Sequence, residues 1–584
     1  MKIVLTAINA KYIHSNLALR NFMTYAADCT EHLVLKEYTI NHAPDRILQG
    51  ICRECPDILC ISCYIWNITL VEALICEFHK LFPKVPVWLG GPEVSFESEA
   101  FLLAHPQVTG IMRGEGEDTF ASLARHYIYG SPEHLSDIPG LIFRRDGIIS
   151  QTSEALLPLL DHIPFCYDRT DDLKHRIVYY ESGRGCPFRC SYCLSSLEKK
   201  LRFRSLDLVK QELSFFVEQE IPQVKFVDRT FNCNHAHAMA VWQHIRTIDR
   251  GKTNFHFEVS ADLFHEDELA LLSTFRPGLI QLEIGVQSTN PATIAEIHRQ
   301  MNLPRLKEVV LRIRTWHNIH LHLDLIAGLP YEDYDSFSRS FDEILGLLPS
   351  QLQLGFLKVL KGTYMYDHAE EYGILFHEHA PYEVLATKWL PYSDLLRIKR
   401  VEEMVEVYYN SWQYALSIRL LICIYDSAFD LFQRLGDYYD RNGLFDCSHS
   451  RLARCEILLG FLQEELNNKK ISGNSADLQA LFHEALVYDL YARENCKRRP
   501  DWACSLIPYR QTIRALNPHG KNSLSHTEVF HYAFPLCNSD PVSGLPSCTK
   551  EPLFYRFNYE TRDPMTYQAQ VERIGTVKIR NSSD

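Results

Sequence analysis

No stretch of this 584-residue chain approaches the roughly eighteen uninterrupted apolar residues that a membrane-crossing helix needs. Its opening, MKIVLTAINAKY, lacks the profile of a secretory leader and reads as a strand. The expectation is a cytoplasmic protein with no membrane partner. An excess of positive charge is also missing: 60 Lys and Arg against 73 Asp and Glu leave a formal charge of −13. That balance argues against a surface that coats nucleic acid and makes a small-molecule or metabolite substrate the better expectation. Repeats and low-complexity segments are not evident. What is present is an ordinary globular composition, 46% hydrophobic and 23% charged, in a length that suits roughly three to four domains. In a reducing compartment its 18 cysteines are mostly buried thiols or ligands rather than disulfides.

Three of those cysteines dominate the reading. Cys186, Cys190 and Cys193 are spaced C-x3-C-x2-C within ESGRGCPFRCSYCL, residues 181–194. Gly183, Gly185 and Pro187 disfavour regular structure there, so the thiols belong to a loop wrapped around something. Three thiolates at this pitch suit a cubane iron–sulfur cluster, which takes up to four cysteines. A structural zinc ion would want a fourth Cys or His close by, and none follows closely in sequence. One iron would then be left open.

The arrangement, with Tyr192 just before the last cysteine, resembles the signature of the radical S-adenosylmethionine (SAM) superfamily. The resemblance implies a [4Fe-4S] cluster whose open iron binds the amino and carboxylate groups of SAM. It also implies an electron donor such as flavodoxin or ferredoxin and cleavage of SAM to a 5′-deoxyadenosyl radical. Tyr192 would lie beside the adenine.

The fold class expected is α/β in three parts. Residues 1–135 alternate strands and helices as a doubly wound, Rossmann-like sheet, whose ligands bind beyond the carboxyl ends of the strands. Four loops there carry unusual residues: Asn9–Asn16 with Tyr12 and His14, the segment of Ser62 and Tyr64, Gly90-Gly91-Pro92-Glu93, and Arg113-Gly114-Glu115. They resemble the cobalamin-binding domain fused ahead of many radical SAM enzymes, which makes Tyr12, His14, Ser62, Tyr64, Gly90, Gly91, Glu93, Gly114 and Glu115 the expected cobalamin contacts. A departure from such domains is the absence of D-x-H-x-x-G, so His14 is not expected to ligate cobalt. A merely structural domain, or one for another nucleotide-like ligand, is the alternative. Cys60 and Cys63 lie on a strand, where i and i+3 face opposite ways, so they read as buried thiols and not as ligands.

Residues 136–175, punctuated by Pro and Gly, read as a linker. Over 176–368 six strand–helix units make a partial (β/α)6 barrel, with reactive groups expected at the carboxyl ends of its strands. Asp228, Glu258, Gln287, Ser288, Ala327 and Gly328 occupy those ends and, by the resemblance, contact SAM; Asp228 or Glu258 could instead be a cap or an ion-pair partner. His320 and His322 share a strand face, which suits a ligand pair or a packed polar layer equally, and no metal is assigned. Helical spacing takes over in 369–520, at Tyr382–Trp389, Ser393–Tyr409, Ala415–Leu435 and Ala476–Ala492. It resembles a helical extension of unassigned function on cobalamin-type radical SAM proteins and would cover the barrel mouth or bind a partner. Residues 521–584 read as an irregular or short-stranded appendage. The expected activity is cobalamin-dependent methylation of an unactivated carbon. Ring formation or rearrangement, and a sensor without turnover, are the alternatives.

Overall fold

The strand Ile3–Asn9 (β1) buries all of its residues, the pattern of a strand covered on both faces. In this computed structural model, which describes residues 1–130, 134–167, 173, 176–198, 200–468, 475–516, 524–536 and 544–576, β1 is an interior strand of the first sheet. Leu33–Thr39 (β2), Ile58–Ser62 (β3), Val87–Gly90 (β4) and Gly110–Met112 (β5) join it in parallel in the order β2-β1-β3-β4-β5. The order reverses between β1 and β3, so the crevice beyond their carboxyl ends is the switch point where such sheets take ligands. Cys60 within β3 and Cys63 just past its end are both buried.

The hairpin Leu141–Arg145 (β6) and Ile148–Gln151 (β7), expected within the linker, instead adds antiparallel to β5 and extends the sheet to seven strands. Its D-G turn is a local signal, whereas the sheet edge it completes is a long-range choice. The end of the linker, 168–172 and 174–175, lies outside the described residues.

Ile177–Tyr180 (β8) starts the second sheet. The short antiparallel pair Gly183–Arg184 (β9) and Arg202–Phe203 (β10) follows. Gln223–Phe226 (β11), Asn254–Val259 (β12), Ile280–Gln287 (β13), Ile319–Ala327 (β14) and Gln351–Phe356 (β15) then continue from β8 in strictly sequential, parallel order. Helices connect them, making a partial barrel that stays open between its edge strands β8 and β15. In β13, Ile280, Leu282, Ile284 and Val286 are buried, and Gln281, Glu283 and Gln287 alternate with them as half-buried residues. The apolar face therefore packs on the helices and the polar face lines the barrel interior. Ile177 N donates to Ile13 O at 2.6 Å, and His14 bridges Ile177, so the loop after β1 lies along the free edge of β8.

Beyond the barrel, Tyr382–Trp389 is not helical. Val384–Ala386 (β17) pairs with Leu375–Phe376 (β16), because an eight-residue run is too short for periodicity to separate helix from strand. The run 415–435 breaks into Ala415–Ile422 and Ala428–Arg441, the second capped by the Ser427 hydroxyl accepting from Asp430 N. Fully buried Asp489 accepts from Leu416 N, Ser417 N and the Ser417 hydroxyl, so that helix start is completed from another helix. The tail forms a three-stranded antiparallel sheet of Ser525–Tyr532 (β18), Cys548–Arg562 (β19) and Ala569–Thr576 (β20), more regular than the appendage expected.

Candidate functional site

The loop carrying the three cysteines leaves the carboxyl end of β8 and is tied down at its start. Asp228, just past β11, accepts from Ser182 N at 3.0 Å and from the Ser182 hydroxyl at 2.7 Å. Burial raises this carboxyl to about 7. His237 Nε2 lies 3.0 Å from the same hydroxyl, and burial lowers that imidazole to about 4, so it is neutral at pH 7. The expected SAM contact Asp228 is thus engaged in holding the loop, as a cap would be. Two residues on, Arg184 bonds Glu181 (2.7 Å), Glu115 (2.6 Å) and Glu117 (2.8 Å), while Arg202 takes the other side of Glu115. Glu115 lies in the loop after β5 and Glu117 starts the helix that follows, so these pairs clamp the cysteine loop to the first domain. Glu115, expected to meet cobalamin, is committed to two guanidinium groups.

Within the loop, Cys190 is buried while Cys186 and Cys193 are half-exposed. Ser191 is held at both backbone ends, its N donating to Ile297 O and its O accepting from Met365 N. Burial pushes the Cys190 thiol up, a nearby Arg299 opposes this, and Cys193 adds to it. Arg299 Nη1 lies 3.8 Å from Cys190 Sγ and 3.5 Å from the Tyr192 hydroxyl, and its Nη2 donates to Gly285 O at the end of β13. Thr230 Oγ1 is 3.6 Å from Cys186 Sγ. A fourth thiol, Cys233, sits on the turn after β11; burial and the neighbouring Cys186 push it up to about 11, so it is a neutral thiol at pH 7.

Above the loop lies a cavity of about 570 Å³. Its walls come from both sheets: Ser95, Arg113, Gly114 and Glu115 on one side, Gly183 to Gly185 on the other. Gly91 (φ +112°) has room for no side chain, since a Cβ would stand 2.3 Å from Cys63 O. Gly90 O accepts from Cys63 N at 2.7 Å. Tyr64 stacks on Trp66 with centroids 4.4 Å apart, and Ser62 accepts from Asn16 Nδ2 at 3.4 Å beside the switch point. Glu93 accepts from the Tyr382 hydroxyl at 2.9 Å, which joins the first sheet to the segment after the barrel. Tyr12 is exposed, with Arg176 over its ring. His14 does not face the cavity side of its loop in a free state: its Nδ1 bonds the Tyr179 hydroxyl of β8.

Of the barrel residues, Glu258 points into the polar interior, 3.8 Å from Arg229, and burial raises it to about 7. Gln287 ends β13 at φ +74° with its Oε1 buried and unpartnered. Ser288 differs from expectation: it is fully buried and donates to Glu332 at 2.6 Å, bracing the loop instead of facing a ligand. Ala327 is buried too, its carbonyl taken by Leu357 N. Gly328 (φ +88°) abuts Val384 of β17, where a Cβ would come within 2.7 Å. Arg184, Arg299 and Cys233 escape a reading of motifs because each meets the loop only through the fold.

The donor set fits the groups that the loop's spacing implies. Three thiols on one fixed loop, with a guanidinium close by, can hold an iron–sulfur cluster, and the polar barrel interior offers hydrogen-bonding groups to an amino acid or ribose. Gly114, Gly140, Gly183 and Gly185 line the cavity, and residues without a Cβ let backbone approach a ligand closely.

Comparisons with known proteins follow the same division. The B12 binding domain model matches residues 3–124, the radical SAM superfamily model residues 180–344, and a family described as a protein of unknown function (DUF4080) residues 370–532. The cobalamin-dependent radical SAM methyltransferase TokK of Streptomyces tokunonensis is 26% identical over 317 residues, covering 50% of this chain and 45% of that protein. The chain therefore spans about half the length of the curated relatives it matches first. In fold it is similar to TsrM of Kitasatospora setae, solved with cobalamin and a [4Fe-4S] cluster (TM-score 0.54, 17% identity, 65% of this chain and 80% of that one). It is also similar to OxsB, solved with aqua-cobalamin (TM-score 0.54, 13% identity, 83% of each chain). Among the described residues no helix is long and apolar enough to cross a membrane.

Proposed function

We propose that this chain, a radical SAM protein with an N-terminal B12-binding domain, is a cobalamin-dependent enzyme that methylates an unactivated carbon of a small-molecule substrate. One observation carries the reading: Gly183, Arg184 and Gly185 just ahead of the three cysteines, and Leu194 and Ser195 just after them, line a cavity whose other wall includes Arg113, Gly114 and Glu115 of the first domain. With a [4Fe-4S] cluster, SAM and cobalamin bound, those groups supply the hydrogen abstraction and the methyl carrier, and a reductant such as flavodoxin or ferredoxin supplies the electron.

The protein's own residues position and shield. Cys186, Cys190 and Cys193 hold the cluster, and Arg299 sets the charge beside Cys190. Glu258, Gln287 and the edge of Tyr192 offer hydrogen-bonding and stacking groups to SAM. The Arg184 clamp keeps the two sheets at a fixed distance, which a transfer between ligands held by different domains requires. A hydrogen bond from Tyr382 to Glu93 ties the first domain to the segment after the barrel.

The test is anaerobic reconstitution followed by EPR of the reduced protein, chromatography for 5′-deoxyadenosine and absorbance of bound cobalamin. The Cys186→Ala/Cys190→Ala/Cys193→Ala protein should lose iron, the EPR signal and SAM cleavage. Retention of SAM cleavage in that variant, or failure of the wild type to retain cobalamin, overturns the proposal.

A further inference from the structure

Deeper in the barrel interior, three side chains converge that the cluster and its cavity do not use. Glu283 of β13 stands directly opposite His322 of β14 in the sheet register, and Asp324 follows His322 on the same face. One ligand atom from each of the three lies within 4.8 Å of the others. His322 is 6% exposed. Its Nε2 is 3.1 Å from Asp324 Oδ1, yet neither atom has a hydrogen-bond partner of acceptable geometry. His256 of β12 repeats the pattern, with its Nε2 2.9 Å from Glu283 Oε2 and no hydrogen bond made. Two atoms each about 2.1 Å from one ion, at roughly 90–110°, stand about 3.0–3.4 Å apart. Close N···O contacts whose hydrogen-bond axes miss one another are what ligands aimed at a shared centre produce.

From this geometry we infer that Glu283, His322 and Asp324 form a binding site for a first-row divalent cation, separate from the cysteine loop. The inference rests on the barrel alone and not on the methyl-transfer reading. Imidazole with carboxylates and no thiolate suits zinc, manganese or ferrous iron. Three protein ligands leave positions open, the arrangement of a site that takes water or a substrate oxygen and not of a closed structural site. Lys225 competes, since its Nζ lies 2.8 Å from Glu283 Oε2 and already answers one carboxylate. It leaves the Asp324 carboxylate and the His322 imidazole to the centre, and it sets the direction of one test.

The full-length, cluster-loaded protein, stripped with chelator and desalted, is titrated anaerobically with manganese chloride, free Mn²⁺ being read by EPR. Wild type should take up one equivalent, and zinc sulfate should displace it. His322→Ala and Asp324→Asn should bind about tenfold more weakly or worse. Lys225→Met, which keeps every ligand, should bind more tightly. The Cys186→Ala/Cys190→Ala/Cys193→Ala protein should bind as wild type does, so loss of the cluster and loss of this site are told apart. Iron content and circular dichroism show whether the ligand variants fold. No manganese uptake by wild type, uptake unchanged in both ligand variants, or weaker binding in Lys225→Met overturns the inference.

Discussion

Removing the Arg299 charge should make the cluster harder to reduce. The guanidinium stands 3.8 Å from Cys190 Sγ, and among the described residues its other bonds are to neutral groups, the Tyr192 hydroxyl and Gly285 O. A unit charge about 5 Å from the electron's position, at an effective dielectric of about 20, is worth on the order of 3 kcal/mol. For a one-electron couple that is on the order of 100 mV. The reduced cluster carries one more negative charge, so a nearby cation favours it, and Arg299→Met should lower the midpoint by that amount. Arg299→Lys keeps the charge and should recover a good part of the shift. The assay is an EPR-monitored redox titration with iron and sulfide content measured alongside. A midpoint in Arg299→Met within about 20 mV of wild type, with the cluster complete, would refute the electrostatic role.

Arg184→Met leaves Glu117 and Glu181 without their cation in a largely buried setting, and the thermal midpoint read by circular dichroism should fall by the equivalent of about 3–5 kcal/mol. Adding Glu117→Gln should restore part of that loss. Glu258 has a folded pKa near 7 against 4.5 in the unfolded chain, so the fold binds a proton that the unfolded chain releases; its contribution to stability therefore falls as pH rises from about 4.5 to 7. Denaturant titrations should show that slope flattened in Glu258→Gln. Gly91→Ala places a Cβ 2.3 Å from Cys63 O at φ +112° and should cost about 3 kcal/mol or more together with cobalamin retention, whereas Gly90→Ala, whose nearest contact is 3.6 Å, should be tolerated.

Local chemistry was enough for the parts of the site that lie in one stretch of chain. Cys186, Cys190 and Cys193 are legible because a cluster loop must present its thiols at short spacing, flanked by residues that refuse regular structure. The strands of both sheets are legible for a similar reason: a strand buried on both faces, such as β1, is an apolar run, and a barrel strand such as β13 alternates. The roles of single residues at strand ends were less so. Ser288 and Asp228 sit where a ligand contact belongs, and only their partners Glu332 and Ser182, 44 and 46 residues away, show that they brace loops.

The sequence by itself thus determined the two strand–helix domains, the position of the cysteine loop between them and the kind of group that loop can hold, since each depends on periodicity or spacing within about thirty residues. The tertiary structure alone decided which groups meet. It put the hairpin β6–β7 on the first sheet, laid His14 against Tyr179, closed Arg184 on Glu115 and Glu117, brought Arg299 to Cys190, and gathered Glu283, His322 and Asp324 in the barrel interior. Pairings of this kind depend on which strand edges and faces come to lie together when the two sheets pack. That is settled by the summed burial of many apolar side chains, and no short motif records it.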